Sequence, residues 1–505
     1  MSRSVASGGS SVVAFLKRFL VMASAPRELW IIYAAYLMEN LAYKLSSQGV
    51  LPLWLSSDLG FNDTNAGTII AVWSATMTLV TVLVGSLTDA LGIRKTFLLG
   101  FIVCLAGRIV MTVTTDRWIV LPFGMLVLAV GIALLIPVMI AGCKRYTNAA
   151  QRSIAFSFYY ALSNLGYLVG DLIFDRLRGG AGLGELGHWT VPGLGVELST
   201  YRVLILMGVA FTIPGLIFVW LFLRDGVEMT EEGVKINRRV ATLDPRNPLV
   251  VFWETCRKTA AQTVHIFTSL WGQPMFYRFL AFMFLAAGAR MVFYHLAYTF
   301  PKYGIRELGN GAPFAHLSGA LNSGIIVVIV PICGIITQKI SAYKMVTVGS
   351  FISAMSVFLI AVPPQWYQPL ADGWLGEIIV HQWLGVPGPV NPLYIGIFLF
   401  IVILSLGEAL WSPRLYEYAA AIAPKGQEAS YMALSMLPMF LAKFVVGIIS
   451  GRMLAVFCPA EGVRHSETMW FIIGCMTLIT PIGIFLFRKQ LQLQESGREP
   501  VISKT

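Results

Sequence analysis

Long apolar runs separated by short polar breaks set the rhythm of this chain. A helix needs about 20 apolar residues to cross a hydrocarbon core. Twelve runs meet that length: 28–56, 64–90, 94–114, 117–144, 152–175, 201–224, 275–300, 313–338, 341–361, 390–422, 428–450 and 467–489. They are too long and too uniformly apolar for the alternating strands of a membrane barrel. The pattern predicts an all-α polytopic membrane protein with twelve transmembrane helices. The longest polar interruption, 225–274, falls between the sixth and seventh runs. It divides the chain into an N-terminal segment (1–27), a first six-helix bundle (28–224), a linker (225–274), a second six-helix bundle (275–489) and a tail (490–505). Late in the linker, Phe252, Trp253 and Ile266 mix with Arg257 and Lys258. That mixture fits a helix lying flat on a membrane surface or an ordinary linker helix.

Composition narrows the class. Of 505 residues, 56% are hydrophobic and only 12% charged, and mean hydropathy is +0.72. Soluble domains carry about 25% charge, so too little polar surface exists to cover a water-facing fold. The net charge of +11 need not mean nucleic acid. With the N-terminus inside, Lys and Arg favour the inside segments three to one over the outside ones. This places both termini in the cytoplasm of a multi-pass cell-membrane protein, read as a monomer in the bilayer. The stretch 11–26 faintly resembles a signal peptide, but Lys17 and Arg18 interrupt it and favour a cytoplasmic lead-in. The six cysteines show neither paired nor metal-ligand spacing and read as small core residues. No metal or cofactor is implied. Asn62-Asp63-Thr64 matches a glycosylation sequon in a short outside loop, a weak signal.

The chain repeats itself. Residues 85–95 read GSLTDALGIRK, and 334–344 read GIITQKISAYK. Gly85 aligns with Gly334, Asp89 with Gln338 and Lys95 with Lys344. Duplicated halves rocking about a midplane site are the usual basis of alternating access. Gly85 allows close backbone approach, Asp89 suits a neighbouring helix N-terminus, and Arg94 stays in the cytoplasmic layer. The pattern G-x-x-x-D-x-x-G-x-R-K between two spans resembles the signature loop of the major facilitator superfamily. That resemblance covers nearly the whole chain and implies two pseudo-symmetric six-helix bundles.

Charges at membrane depth cost at least about 2.5–3.5 kcal/mol each on insertion scales. The chain keeps Glu39 and Lys44 in the first run, Arg108, Asp171, Arg290, His295, Glu408, Arg414, Glu417 and Lys443. Glu39 and Glu408 lie deepest and are the strongest candidates for a water-filled cleft. Arg108, Asp171 and Lys443 also suit snorkelling near helix ends. Arg414 and Glu417 can neutralise each other at i, i+3. Pro413 bends the tenth run beside Glu408, a useful gate, with Ser412 placed to bond freed backbone.

The tenth run resembles the proton-coupled oligopeptide transporters, whose helix carries G-E-x-x-x-S-P and then A-P. Gly407, Glu408, Ser412, Pro413, Ala423 and Pro424 match. Phe158, Tyr159, Asn164 and Gly166 fit that family's F-Y-x-x-x-x-N-x-G pattern. Glu39 and Tyr43 fit its E-R-F-x-Y-Y stretch, and Asn322 with Pro331 fits more loosely. The resemblance implies that Glu408 engages a peptide's amino terminus. Three positions depart from it. The arginine after the first Glu is Asn40, an upstream Glu is Tyr36, and the lysine before proline is Ile136. Lys44, one turn past Asn40, is placed to supply the displaced positive charge.

These features give an expected function. It is proton-coupled symport of short peptides or amino-acid-like solutes by alternating access. Glu408, Lys44, Arg290, Tyr43, Tyr159, Asn164, Asn322 and Trp411 would hold the solute. Glu39 and Glu408 would carry protons, and Gly85, Asp89, Arg94 and Pro413 would gate. The alternatives are a proton-independent uniporter or exchanger, and a receptor retaining the fold. No Walker A loop and no hydrolase or metalloprotease motif is present, so an enzyme is not expected.

Overall fold

The computed structural model describes residues 21–193, 195–230, 233–236, 254, 257–258, 261, 268, 274–337, 340–422 and 428–491. Most of the anticipated surface helix in the linker lies outside them. Long helices occupy every run expected to span. Among the described residues, eight are long and apolar enough to cross a membrane by length and composition.

The first run is two helices, α1 (Arg27–Ser46) and α2 (Val50–Ser57). Gly49 breaks it with a φ of 77°, a left-handed conformation that favours glycine. Next come α3 (Asp63–Leu91) and α4 (Ile93–Val113). The segment read as a loop at 85–95 is therefore mostly helix; the break is Gly92, with φ 85°. The fourth run starts with a wide π-type stretch at Val120–Leu126 before α5 (Val127–Arg145). Pro122 within it lacks the N–H that a regular turn needs.

α6 (Ala149–Arg178) opens with a capping box of Asn148 and Gln151, and α7 (Thr200–Phe222) completes the first half. The second half contains α8 (Pro274–Tyr298), the short α9 (Phe300–Leu308), α10 (Leu321–Ile336) and α11 (Ala342–Ala361). It ends with α12 (Leu393–Ile422), α13 (Glu428–Phe457) and α14 (Ser466–Leu486). α4 begins at Ile93 and α11 at Ala342, preserving the spacing of the sequence repeat.

Two features escaped the apolar pattern because both lie in its polar breaks. Short antiparallel hairpins form at His188–Thr190 with Glu197–Ser199, and at Val227–Thr230 with Gly233–Ile236. A chain of helical turns runs through Pro364–Tyr367, Gln368–Ala371, Trp374–Gly376 and Glu377–Trp383.

The halves meet along α3 and α13. A Cβ on Gly67 would sit 2.6 Å from the Gly447 carbonyl oxygen and 3.0 Å from the Gly451 amide nitrogen. Only glycine lets the two backbones approach this closely. This seam lies toward the molecular end opposite the linker, called the distal end below.

Candidate functional site

Ionised side chains deep in the helices form three separate groups. In the first half, Arg108 of α4 is fully buried. It donates from Nη1 to Glu39 Oε2 at 3.0 Å and from Nη2 to Glu39 Oε1 at 2.6 Å. Its remaining donors reach Ser46 Oγ at 2.9 Å and Thr212 Oγ1 at 2.6 Å. α1, α4 and α7 thus close around one satisfied ion pair. Sequence reasoning flagged both residues but did not pair them, because 69 residues separate them. Glu39, read as a proton site, has both oxygens taken by one guanidinium.

Nearer the distal end, Lys44 Nζ of α1 lies 3.1 Å from Asp171 Oδ1 of α6. Lys44 also sits over the Tyr167 ring, 5.8 Å from its centroid. The expected solute cation is therefore already engaged by a carboxylate in its own half.

The central group joins the halves. Glu408 of α12 is 6% exposed. Asn322 of α10 donates its Nδ2 to Glu408 Oε2 at 3.0 Å and to Ser405 Oγ at 2.9 Å. Tyr160 of α6 donates its hydroxyl to Glu408 Oε1 at 3.3 Å. Sequence reasoning chose the neighbouring Tyr159, which instead stacks on Tyr36 with centroids 4.7 Å apart. A helix turns about 100° per residue, so adjacent tyrosines face different ways, and the pattern match could not say which faces the carboxylate.

Arg290 of α8 is electrostatically coupled to Glu408. Its guanidinium lies over the Trp411 ring at 4.9 Å and donates to Ser412 Oγ at 2.8 Å. Ser412 is thus an acceptor for Arg290, and α12 continues helical through Pro413. Trp411 itself is fully buried and donates to Ser353 Oγ at 3.1 Å. It supports Arg290 from beneath and does not line an open space. Lys443 of α13 lies over the Tyr294 ring at 5.6 Å. Asn164 donates to the Tyr160 carbonyl at 2.9 Å, tying down the helix that carries Tyr160. Tyr43 is half-buried beside Tyr167, with centroids 6.3 Å apart.

Tyr160 and Asp171 are eleven residues apart on α6, which is about 16 Å along a helix axis. Lys44 and Glu408 therefore belong to different levels of the molecule. Asn40 donates to the Tyr36 carbonyl of its own helix at 2.7 Å and contributes no charge.

The distal end carries a latch between halves. Asp63, at the start of α3, meets Lys302 Nζ at 2.7 Å and Arg306 at 2.9 Å, both on α9. Burial opposes ionisation of Asp63, but Arg306 and Lys302 outweigh it and hold the carboxyl below its usual range. Burial pushes the Lys302 ammonium the other way, below its ordinary value, despite Asp63. Ser74 and the Tyr298 hydroxyl join at 2.9 Å, and the His316 amide donates to Asp175 Oδ2 at 2.5 Å. Asp63 entered the sequence analysis only as the middle of a sequon, and Asn62 turns out to cap α3 by accepting from the Asn65 amide at 2.8 Å. An acidic residue in a first helical turn was the available signal, and it is a common one.

Among the gating candidates, Arg94 binds within its own half and to the first residue of the linker. It donates to the Trp220 carbonyl at 2.7 Å and lies 3.6 Å from Asp225. The surroundings of Gly85 and the side chains of Asp89 and Glu417 lie outside what the structure describes. His295 is buried, with Nδ1 2.8 Å from Thr299 Oγ1. Among the described residues no cluster suits a metal ion.

Comparison with known proteins points the same way. The sequence model of the Major Facilitator Superfamily matches residues 30–379. No curated protein sequence matches the chain. Among solved structures, a POT family transporter in complex with 5-aminolevulinic acid is similar, with a TM-score of 0.67 and 17% identity over 93% of this chain and 97% of that one. A POT family transporter bound to a thioalcohol-conjugated peptide gives 0.64 and 17%, over 93% and 97%. The peptide transporter POT in complex with sulfate gives 0.64 and 16%, over 94% and 98%. At these identities the likeness is one of fold.

Proposed function

This chain belongs to the Major Facilitator Superfamily, and on that footing we propose that it is a twelve-span secondary transporter working by alternating access. Its solute is a short peptide or an amino-acid-like molecule, moved together with protons. Both termini lie in the cytoplasm of a cell membrane, which makes the distal end external. The two six-helix halves, 28–224 and 275–489, rock about the central group.

One observation carries the reading. Glu408 is a mid-helix carboxylate held from both halves at once, by Asn322 and Tyr160. A solute ammonium offers more donors than the two it displaces, so binding exchanges a contact between halves for a contact with cargo. Arg290, beside Glu408 and backed by Trp411, is the cation placed to receive the solute's carboxylate. It takes the part that the departures at Asn40 and Ile136 leave vacant in the first half. The ligand named for one similar fold, 5-aminolevulinic acid, carries an amino group and a carboxylate, which is the pairing this site suits.

Uptake of radiolabelled dialanine and of 5-aminolevulinic acid into proteoliposomes, with and without an inward proton gradient, tests the proposal. The parent chain should concentrate at least one of them when the gradient is imposed, and Glu408→Gln should not. Equal uptake with and without the gradient would assign a uniporter. Saturable binding without counterflow would assign a receptor.

A further inference from the structure

The Lys44–Asp171 pair has a feature that the central group lacks. Asp171 Oδ1 faces Lys44, while Asp171 Oδ2 is buried and has no hydrogen-bond partner among the described residues. The unpartnered oxygen does not point into its own half. It lies against Gly319, at the start of the helical segment that continues into α10 of the other half, where any Cβ would collide with it. Lys44, Gln48, Gly49, Asp171, Phe174, Phe300 and Ser318 are among the residues lining a cavity of about 30 Å³ at this junction. The cavity draws on both halves.

From this geometry we propose that Asp171 is the carboxylate that carries the coupled proton, and that it binds the proton as the distal end closes over it. The inference rests on the reading of the chain as a transporter. With the halves apart, Asp171 Oδ2 faces water and the carboxylate is hydrated. When Gly319 seats on it, that oxygen loses its solvent and finds no donor. Burying an unsatisfied ionised oxygen is costly. Accepting a proton from hydronium in the external solution onto Oδ2 leaves water behind, removes the charge and permits closure. The groups facing Asp171 are Lys44 from α1, Asp175 one turn further along α6, and His316 from the Gly319 segment. Neutralising Asp171 also releases Lys44, leaving a free cation at the distal mouth when cargo is enclosed. Glu39 is a poorer carrier by the same logic, since Arg108 satisfies both of its oxygens.

The test uses the full chain in lipid nanodiscs with spin labels at Asn65 and Glu461, exposed residues at the distal end of the two halves. Cys256, Cys333 and Cys475 are replaced by serine. Distances are measured by pulsed electron resonance from pH 5 to pH 9. In the parent chain the ratio of closed to open distances should fall as pH rises, by up to about tenfold per pH unit, the slope of one proton. Asp171→Asn should stay closed without a slope. His316→Asn, which removes the nearest imidazole, should keep it. Gly319→Ala, which alters no charge, should be open throughout.

A slope that survives in Asp171→Asn, or a Gly319→Ala chain that closes as the parent does, would overturn the assignment. So would a parent chain whose distances change with dialanine or 5-aminolevulinic acid but not with pH. A single distance under every condition would overturn the transporter reading itself.

Discussion

Arg108 grips Glu39 with two nitrogens, at 3.0 and 2.6 Å, and neither side chain has another charged partner within reach among the described ion pairs. Such a pair holds three helices of the first half in one arrangement. Removing one member of a buried pair leaves an uncompensated charge and costs about 3–5 kcal/mol. Glu39→Gln and Arg108→Gln should therefore each lower the unfolding temperature in detergent sharply. The double variant should lose much less than the two losses combined, because the residues act as one unit. Additive losses would show that the pair is not what they share.

The glycine seam gives a second expectation. Alanine at Gly67 brings a methyl 2.6 Å from the Gly447 carbonyl, so α3 and α13 must separate. Ser74 is fully buried beneath the seam and bonds to Tyr298. A cysteine at Ser74 should resist a water-soluble maleimide in the parent background and react readily once Gly67→Ala is added. Equal reactivity in the two backgrounds would mean that the seam does not seal this end.

The distal latch should respond to acid. Asp63 is held below its ordinary range by Arg306 and Lys302, against the effect of burial. A depressed carboxylate contributes stability that is present above its unfolded value and lost as pH falls through its folded one. Stability of the closed form should thus weaken only below about pH 4, the ordinary carboxylate range. Thermal unfolding between pH 3 and pH 6 should show the drop in the parent chain and a smaller one in Asp63→Asn.

Much of the fold could be read from the apolar pattern, since bilayer thickness imposes the helix length and leaves little freedom. Helix starts such as Ile93 and Ala342 even preserve the repeat spacing. Breaks inside apolar runs were harder to see. Gly49, inside the first run, looks like any other glycine until its φ angle is known. Candidate site residues were recognisable by their charge in an apolar setting, but their partners were not. Glu39 finds Arg108, Lys44 finds Asp171 and Glu408 finds Tyr160, each on a helix far along the chain. Periodicity reports a residue's own helix and nothing of the facing one. A motif match likewise selected Tyr159, one position from the hydroxyl that reaches the carboxylate.

That one-position difference leads to the most direct test of the central group. Tyr160 reaches Glu408 across the halves at 3.3 Å, while its ring belongs to α6. Phenylalanine keeps the ring and deletes the donor. A hydrogen bond to a charged group contributes about 1.5–3 kcal/mol, and a bond this long belongs at the lower end, near a tenfold effect on affinity. Because cargo displaces this hydroxyl, Tyr160→Phe should lower the KM for dialanine uptake about tenfold with little change in unfolding temperature. If the hydroxyl acts through the carboxylate, the gain must vanish once the carboxylate is gone. Tyr160→Phe added to Glu408→Gln should then bind dialanine no more tightly than Glu408→Gln alone, measured by equilibrium binding since uptake is already lost. A tenfold loss in either background would place the tyrosine's contribution on the cargo and not on Glu408.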